Sequence, residues 1–176
     1  EKAMSSEGHI LDLTKSLDCD VAILLNITPD HLDRYESFEA YVASKARLFE
    51  MQTTGREAII DEDDDQTRAI AEALARTGYW QRNKLVSVSR SDVRDQTKLP
   101  ALQGPHNAQN IACAIAACRQ LGVTFAAIVK GLETYPGLPH RMERVREKDG
   151  VQFVNDSKAT NPTAAAPALA AFESIR

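Results

Sequence analysis

Apolar and polar positions fall into blocks along this chain, and the blocks switch between strand and helix spacing. Residues 20–27 form a nearly continuous apolar run, as expected of a parallel strand covered on both faces. After it, Thr28 and Pro29 suit an N-cap and a first helical residue. Ser37 then opens a predicted helix to about residue 51, with Phe38, Tyr41, Val42, Leu48 and Phe49 on one stripe. Residues 56–60 read as a short strand. Residues 63–77 read as a helix whose first turn is acidic, which suits its dipole, and 84–89 as another strand. The polar stretch 91–100 predicts a surface excursion or hairpin. Residues 106–121 predict a helix apolar on nearly every side, hence buried, and 124–134 a further helix. Tyr135-Pro136-Gly137-Leu138-Pro139 breaks the pattern sharply and marks the expected domain boundary. Residues 142–147 and 151–155 then pair as strands across Lys148-Asp149-Gly150, and a helix opens at Pro162.

Four places carry more chemistry than this framework needs. The heptad Asn155-Asp156-Ser157-Lys158-Ala159-Thr160-Asn161 sits where a strand ends and a helix begins. Ligands bind at such edges in open α/β sheets, because loop side chains and free helix N–H groups converge there; a well-capped loop has the same composition. Lys45 falls on the apolar stripe of its helix, where a lysine is costly unless paired, neutral or modified, or unless its stem packs and its amine reaches the surface. His31, in Asp30-His31-Leu32-Asp33 past a strand end, suits a metal ligand, a phosphate contact or a solvated cap. Gly104-Pro105-His106-Asn107 leads into the buried helix, so that Asn107 and Asn110 either face a ligand or cap the helix.

Composition narrows the class. With 176 residues, 43% hydrophobic, 26% charged and a net charge of −4, the chain fits one good core, or one domain plus part of another. The acidic balance argues against nucleic acid as the main partner. The longest apolar run, 21–25, is far too short to cross a bilayer, and no secretory signal opens the chain. Cys19, Cys113 and Cys118 lack metal-ligand spacing and are odd in number, so they read as reduced core residues of a cytoplasmic protein. Nothing requires an oligomer, and a monomer is expected.

Four strings occur in order: Asn26-Ile27-Thr28-Pro29-Asp30-His31-Leu32-Asp33-Arg34, Gly104-Pro105-His106-Asn107, Gly137-Leu138-Pro139-His140-Arg141 and the heptad from Asn155. Together they resemble the Mur ligase family of peptidoglycan precursor synthesis, and within it the branch that adds D-glutamate, from about Leu13 to the end. The resemblance implies an α/β fold: a mainly parallel-sheet central ATPase domain over 1–139, then the start of a Rossmann-like, amino-acid-binding C-terminal domain over 140–176. It implies that ATP phosphorylates the carboxylate of UDP-N-acetylmuramoyl-L-alanine, and that the amine of D-glutamate then attacks the acyl phosphate. It further implies His31 as a magnesium ligand, Lys45 as a carbamate facing Mg2+ (two ions in the whole enzyme), and Asn107 and Arg141 at the adenine and phosphate end of ATP. Asp156 would hold the ribose, Lys158 would lie near the transferring phosphate, and Thr160 would contact D-glutamate. Ser157 and His140 share these motifs in less defined roles.

The departures set a further expectation. The family's Gly-rich loop ending in Gly-Lys-Ser/Thr occurs nowhere in these residues. Ala3-Met4-Ser5-Ser6 resembles the family's Glu-x-Ser-Ser with alanine in place of a magnesium-binding glutamate, and residues 1–12 fit poorly. A fragment that does not turn over alone is therefore expected. The alternatives are another Mur-type amide ligase, or a non-catalytic nucleotide-binding module that keeps the motif residues.

Overall fold

The computed structural model describes residues 14–29, 35–172 and 174–175. The irregular opening, the helix start expected at Thr28-Pro29 beyond Pro29 itself, and His31 lie outside the described residues. The chain divides into two compact units, 1–88 and 89–176, each described by itself.

The first unit is a three-stranded parallel sheet with helical crossovers. Its elements are β1 (Val21–Leu24), α1 (Phe38–Glu50), β2 (Glu57–Asp61), α2 (Asp65–Arg76), the short α3 (Tyr79–Arg82) and β3 (Lys84–Val88). The strands lie in the order β1-β2-β3, with Ile23 opposite Ile59 and Ile59 opposite Val86. Central β2, not the longer apolar run at β1, is the strand buried at consecutive residues, from Ala58 through the charged Asp61. At the edge, β1 departs from expectation. Ala22 and Leu24 are buried but Ile23 is 39% exposed: alternate side chains point to opposite faces of the sheet, and among the described residues the Ile23 face of β1 is the less covered. Phe49, Tyr41, Leu24, Ile60, Ile70 and Tyr79 close the core under the sheet. Fully burying a side chain the size of Ile60 contributes about 1.5–3 kcal/mol.

Local signals fix the element ends. The Ser37 side chain accepts the Ala40 N–H to start α1, and the Asp64 carboxylate accepts those of Gln66 and Thr67 to start α2. Asp64 also accepts the Ile27 N–H at 3.2 Å, tying the segment after β1 to the segment after β2 at the sheet's C-terminal edge. At the opposite edge, the buried Gln52 amide donates to the carbonyls of Cys19 and Glu57 and accepts from Tyr79. Burial pushes the Tyr79 phenol up to about 12. The Arg56 guanidinium grips Asp18 and Asp20 and holds the Asp18 carboxyl far below the usual carboxylate range. Sequence pattern missed α3, a single turn whose N-cap, Gly78, is left-handed.

The second unit holds a 3-10 turn (Arg90–Asp92), α4 (Pro105–Gln120), α5 (Phe125–Glu133), an antiparallel pair β4 (Glu143–Lys148) and β5 (Val151–Asn155), and α6 (Pro162–Ala170). The stretch 91–100 is an excursion of turns, not a hairpin: Ser89 and Asp92 cap each other in a capping box, which closes a helical turn instead of an extended strand. Helix α4 is buried along one face (Ala108, Ile111, Ala112, Cys113, Ala116), while Asn110, Ala114 and Arg119 are exposed, so its many alanines mark small size and not burial all round. Of the cysteines expected in the core, Cys113 is buried; Cys19 and Cys118 are half-buried because they stand at a strand entry and a helix end. The β4–β5 turn is left-handed at both Asp149 (φ 53°) and Gly150 (φ 73°), as a two-residue hairpin demands. Among the described residues no helix is long and apolar enough to cross a membrane.

Candidate functional site

In the second unit, three segments meet. The first is the entry to α4. Gly104 takes φ 91°, which favours glycine, and a Cβ there would crowd the His106 ring at 3.2 Å. The Gln96 amide donates to the Gly104 carbonyl at 3.1 Å, and the Asn107 amide donates to the Gln103 carbonyl at 2.9 Å. Asn107 thus spends its nitrogen on the segment before the helix, not as a helix cap, and its amide oxygen is left for other work. His106 is half-buried, and its Nδ1 is buried without a hydrogen-bond partner among the described residues. Burial pushes its imidazole below the usual histidine value, against an opposing pull from the nearby Asp156 charge.

The second segment is the turn after Pro139, and the third is the heptad. Asn155 ends β5 and Asn161 caps α6 by accepting the Ala164 N–H at 2.8 Å, so the heptad does bridge a strand end and a helix start. The strand it follows belongs to an antiparallel hairpin. Asp156 accepts the Met142 N–H at 3.0 Å, and the Lys158 N–H donates to the His140 carbonyl at 3.1 Å. These two bonds clasp the turn against the heptad. His106, Asp156, Lys158, His140 and Arg141 therefore belong to one neighbourhood. Arg141, Ser157, Lys158 and Thr160 are exposed and Asp156 is half-buried: a cation-rich rim around a partly shielded carboxylate.

Lys45 belongs to the first unit. It is half-buried on α1, with Nζ 5.2 Å from the centroid of the Tyr41 ring; that ring also meets Tyr35 edge-on at 5.1 Å. The stem packs on the helix stripe while the amine lies over an aromatic face, a cation–π placement between the full burial and the surface reach that the pattern left open.

Glu143 escaped the reading of sequence, and Asn155, though it opens the heptad, was given no role of its own. Glu143 and Asn155 stand opposite each other at the open end of the β4–β5 pair, and both bond His140. The separation of three between His140 and Glu143 was the available signal, but nothing in the pattern shows that the backbone turns left-handed between them.

Comparison with known proteins bears on the family and the fold. Residues 1–118 match the Mur ligase middle domain. The chain is 57% identical over 164 residues to UDP-N-acetylmuramoylalanine--D-glutamate ligase of Sphingopyxis alaskensis, covering 92% of this chain and 36% of that protein. It is 50% identical to the enzyme of the same name from Novosphingobium aromaticivorans, covering 96% of this chain and 38% of that one. It thus spans well under half the length of these relatives. Among solved structures, MurF from Acinetobacter baumannii superposes with a TM-score of 0.68 at 26% identity, over 86% of this chain and 37% of that one. A folylpolyglutamate synthase variant, the S73A mutant of L. casei FPGS, shares the fold at 19% identity and a TM-score of 0.64. A parallel sheet with helical crossovers, the four motif strings and these matches together make the chain a member of the Mur ligase family.

Proposed function

We propose that this chain is part of an ATP-dependent ligase that joins D-glutamate to UDP-N-acetylmuramoyl-L-alanine. The observation that carries the reading is the clasp of the Pro-His-Arg turn onto the Asp-Ser-Lys heptad beside the α4 entry, in a chain 57% identical to a ligase of that name. In the reaction, a carboxylate oxygen attacks the γ-phosphorus of ATP and ADP leaves. The amine nitrogen then attacks the acyl carbon and gives up a proton to solvent, phosphate leaves with the bonding pair, and an amide remains. Two anions must approach in the first step, so cations near the transferring phosphate lower its barrier. Lys158 and Arg141 supply that charge, Asp156 accepts from the ribose hydroxyls, and the Asn107 amide oxygen, its nitrogen held by the Gln103 carbonyl, accepts from the adenine amino group. Thr160 and Ser157 line the D-glutamate side. On this reading residues 1–139 are the central domain and 140–176 open the amino-acid-binding domain, in a monomeric cytoplasmic enzyme.

Mg2+ would be held by His31 and by Lys45 as its carbamate. Among the described residues no three His, Cys, Asp or Glu side chains are grouped to hold a metal. Mg2+ needs no such cage, since one or two protein ligands and the substrate phosphates complete its shell. Bound there, the ion would offset phosphate charge. An ammonium cannot ligate it, whereas a carbamate formed from the Lys45 amine and CO2 offers two oxygens. Lys45→Arg keeps the cation but cannot form the carbamate. In the full-length protein it is expected to lower kcat on the order of a hundredfold and to abolish a carbamate carbon signal in 13C-bicarbonate. An unchanged signal in the variant removes Lys45 from this role.

The assay that tests the whole reading supplies ATP and UDP-N-acetylmuramoyl-L-alanine to the full-length gene product with D-glutamate, L-lysine or meso-diaminopimelate. Phosphate release dependent on D-glutamate is expected. Release dependent on another amino acid would make it a sister ligase, and nucleotide binding without release a non-catalytic module.

A further inference from the structure

Asn155 is oriented by its own backbone. Its Oδ1 accepts the Ser157 N–H at 3.1 Å, and a backbone N–H can only donate, so this atom is the oxygen and the other the nitrogen. That nitrogen, Nδ2, lies 2.9 Å from His140 Nδ1 and 3.2 Å from Glu143 Oε2. An amide nitrogen carries two hydrogens and accepts nothing, so both neighbours must accept. His140 Nδ1 therefore holds a lone pair, and the neutral ring keeps its proton on Nε2. A proton on Nδ1 would set two donors against each other across 2.9 Å.

The backbone around this ring is equally constrained. His140 (φ 65°) and Met142 (φ 48°) are both left-handed, a conformation that non-glycine residues adopt only where surrounding bonds hold them. Each has its N–H taken by a carboxylate: Glu143 Oε2 accepts from His140 at 2.8 Å, and Asp156 Oδ1 from Met142 at 3.0 Å. Arg141 lies between the two strained residues, exposed, and the His140 side chain is 55% exposed. An imidazole N–H and a guanidinium on consecutive residues of a turn held by these bonds offer only donors to whatever approaches. That arrangement suits the oxygens of a phosphate.

We infer that Glu143 and Asn155 are positioning residues: they lock His140 as its neutral Nε2–H tautomer and hold the 140–142 turn, so that His140 and Arg141 present a paired donor set to the phosphates of the nucleotide. The inference rests on the ligase reading for the identity of the anion, but the tautomer stands on geometry alone.

The test uses the full-length protein. The 15N imidazole spectrum, with the His140 signal assigned by its loss in His140→Gln, is expected to show protonation at Nε2 and not at Nδ1. Asn155→Asp preserves an acceptor for Ser157 but turns a carboxylate toward Nδ1. It is expected to move the proton to Nδ1 and to lower kcat about tenfold to a hundredfold, with KM for D-glutamate unchanged. Glu143→Gln, which keeps an acceptor oxygen, is expected to retain more activity than Glu143→Ala. A wild-type spectrum with the proton on Nδ1 overturns the inference even if a variant fails to fold. So does Asn155→Asp with wild-type kcat, or Glu143→Ala no worse than Glu143→Gln. Were the wild-type protein to show no ligase activity while its His140 carried the Nε2 proton, the ligase reading would fail and the tautomer assignment would stand.

Discussion

Lys158→Met in the full-length protein is expected to lower D-glutamate-dependent phosphate release by about a hundredfold to a thousandfold, the range found when one preorganised charge partner is lost. Methionine keeps the unbranched stem, so packing around the heptad changes little and the loss reports the charge. Position adds to the argument. The Lys158 N–H is bonded to the His140 carbonyl at 3.1 Å, which fixes the root of the side chain against the turn that carries Arg141. On the proposed reading, a charge whose backbone is already placed would meet the transferring phosphate by side-chain rotation alone. Since negative charge accumulates as the carboxylate approaches the γ-phosphate, the effect should fall on kcat more than on KM for ATP. Lys158→Arg restores charge but not the compact ammonium, and partial recovery is expected. Should Lys158→Met stay within about threefold of wild type in kcat, the heptad lysine does not serve the reaction and the proposed chemistry needs another cation.

The contrast between what the chain announces and what it conceals follows from the range of the forces involved. Local signals were legible because they act within one turn. Ser37 caps α1 through a hydrogen bond three residues long, and Asp149-Gly150 forces the β4–β5 turn through backbone sterics alone, while Asp64, read only as part of an acidic first turn, proves to be the cap of α2. The alternation of strand and helix periods predicted the parallel sheet, although the long apolar run lies at β1 and the consecutive buried residues, Ala58 to Asp61, lie in central β2. Features set by distant partners were not legible. The exposure of Ile23 depends on which face of β1 is covered, and a continuous apolar run does not show that. Gln52 in the core is stabilised by carbonyls at Cys19 and Glu57 and by the Tyr79 hydroxyl, three partners that no spacing rule connects. The candidate site divides the same way. Asp156 and Lys158 were picked out as polar residues at a strand end, whereas Glu143 resembles any charged strand residue until the left-handed turn at His140 brings it round. The strings that carry the family resemblance were legible as strings; their roles come from chemistry acting between them.

Phe49→Ala is expected to lower the stability of the first unit by about 3–5 kcal/mol, the largest structural effect of any single truncation proposed for this chain. Phe49 is 1% exposed, on the last full turn of α1, and belongs to the core cluster with Leu24, Ala58, Ile60 and Tyr79. The loss has two parts. The ring's transfer from water disappears, and the space it filled lies between a helix and a sheet that are each tied down independently: α1 by the Ser37 cap, the sheet by its ladder and by Gln52. Neither side can collapse far, so most of the cavity persists and the cost lies high in the range. Val42→Ala on the same stripe is the control. Val42 is half-buried, and its truncation is expected to cost about 1 kcal/mol. Denaturant titration read by hydrogen exchange at the β1, β2 and β3 amides separates this unit from the rest of the chain, which one global signal would not do. If Phe49→Ala and Val42→Ala shift the midpoint equally, α1 is not anchored through its C-terminal turn. The crossover that positions Lys45 four residues upstream would then owe its placement to the aromatic group at Tyr35 and Tyr41 instead.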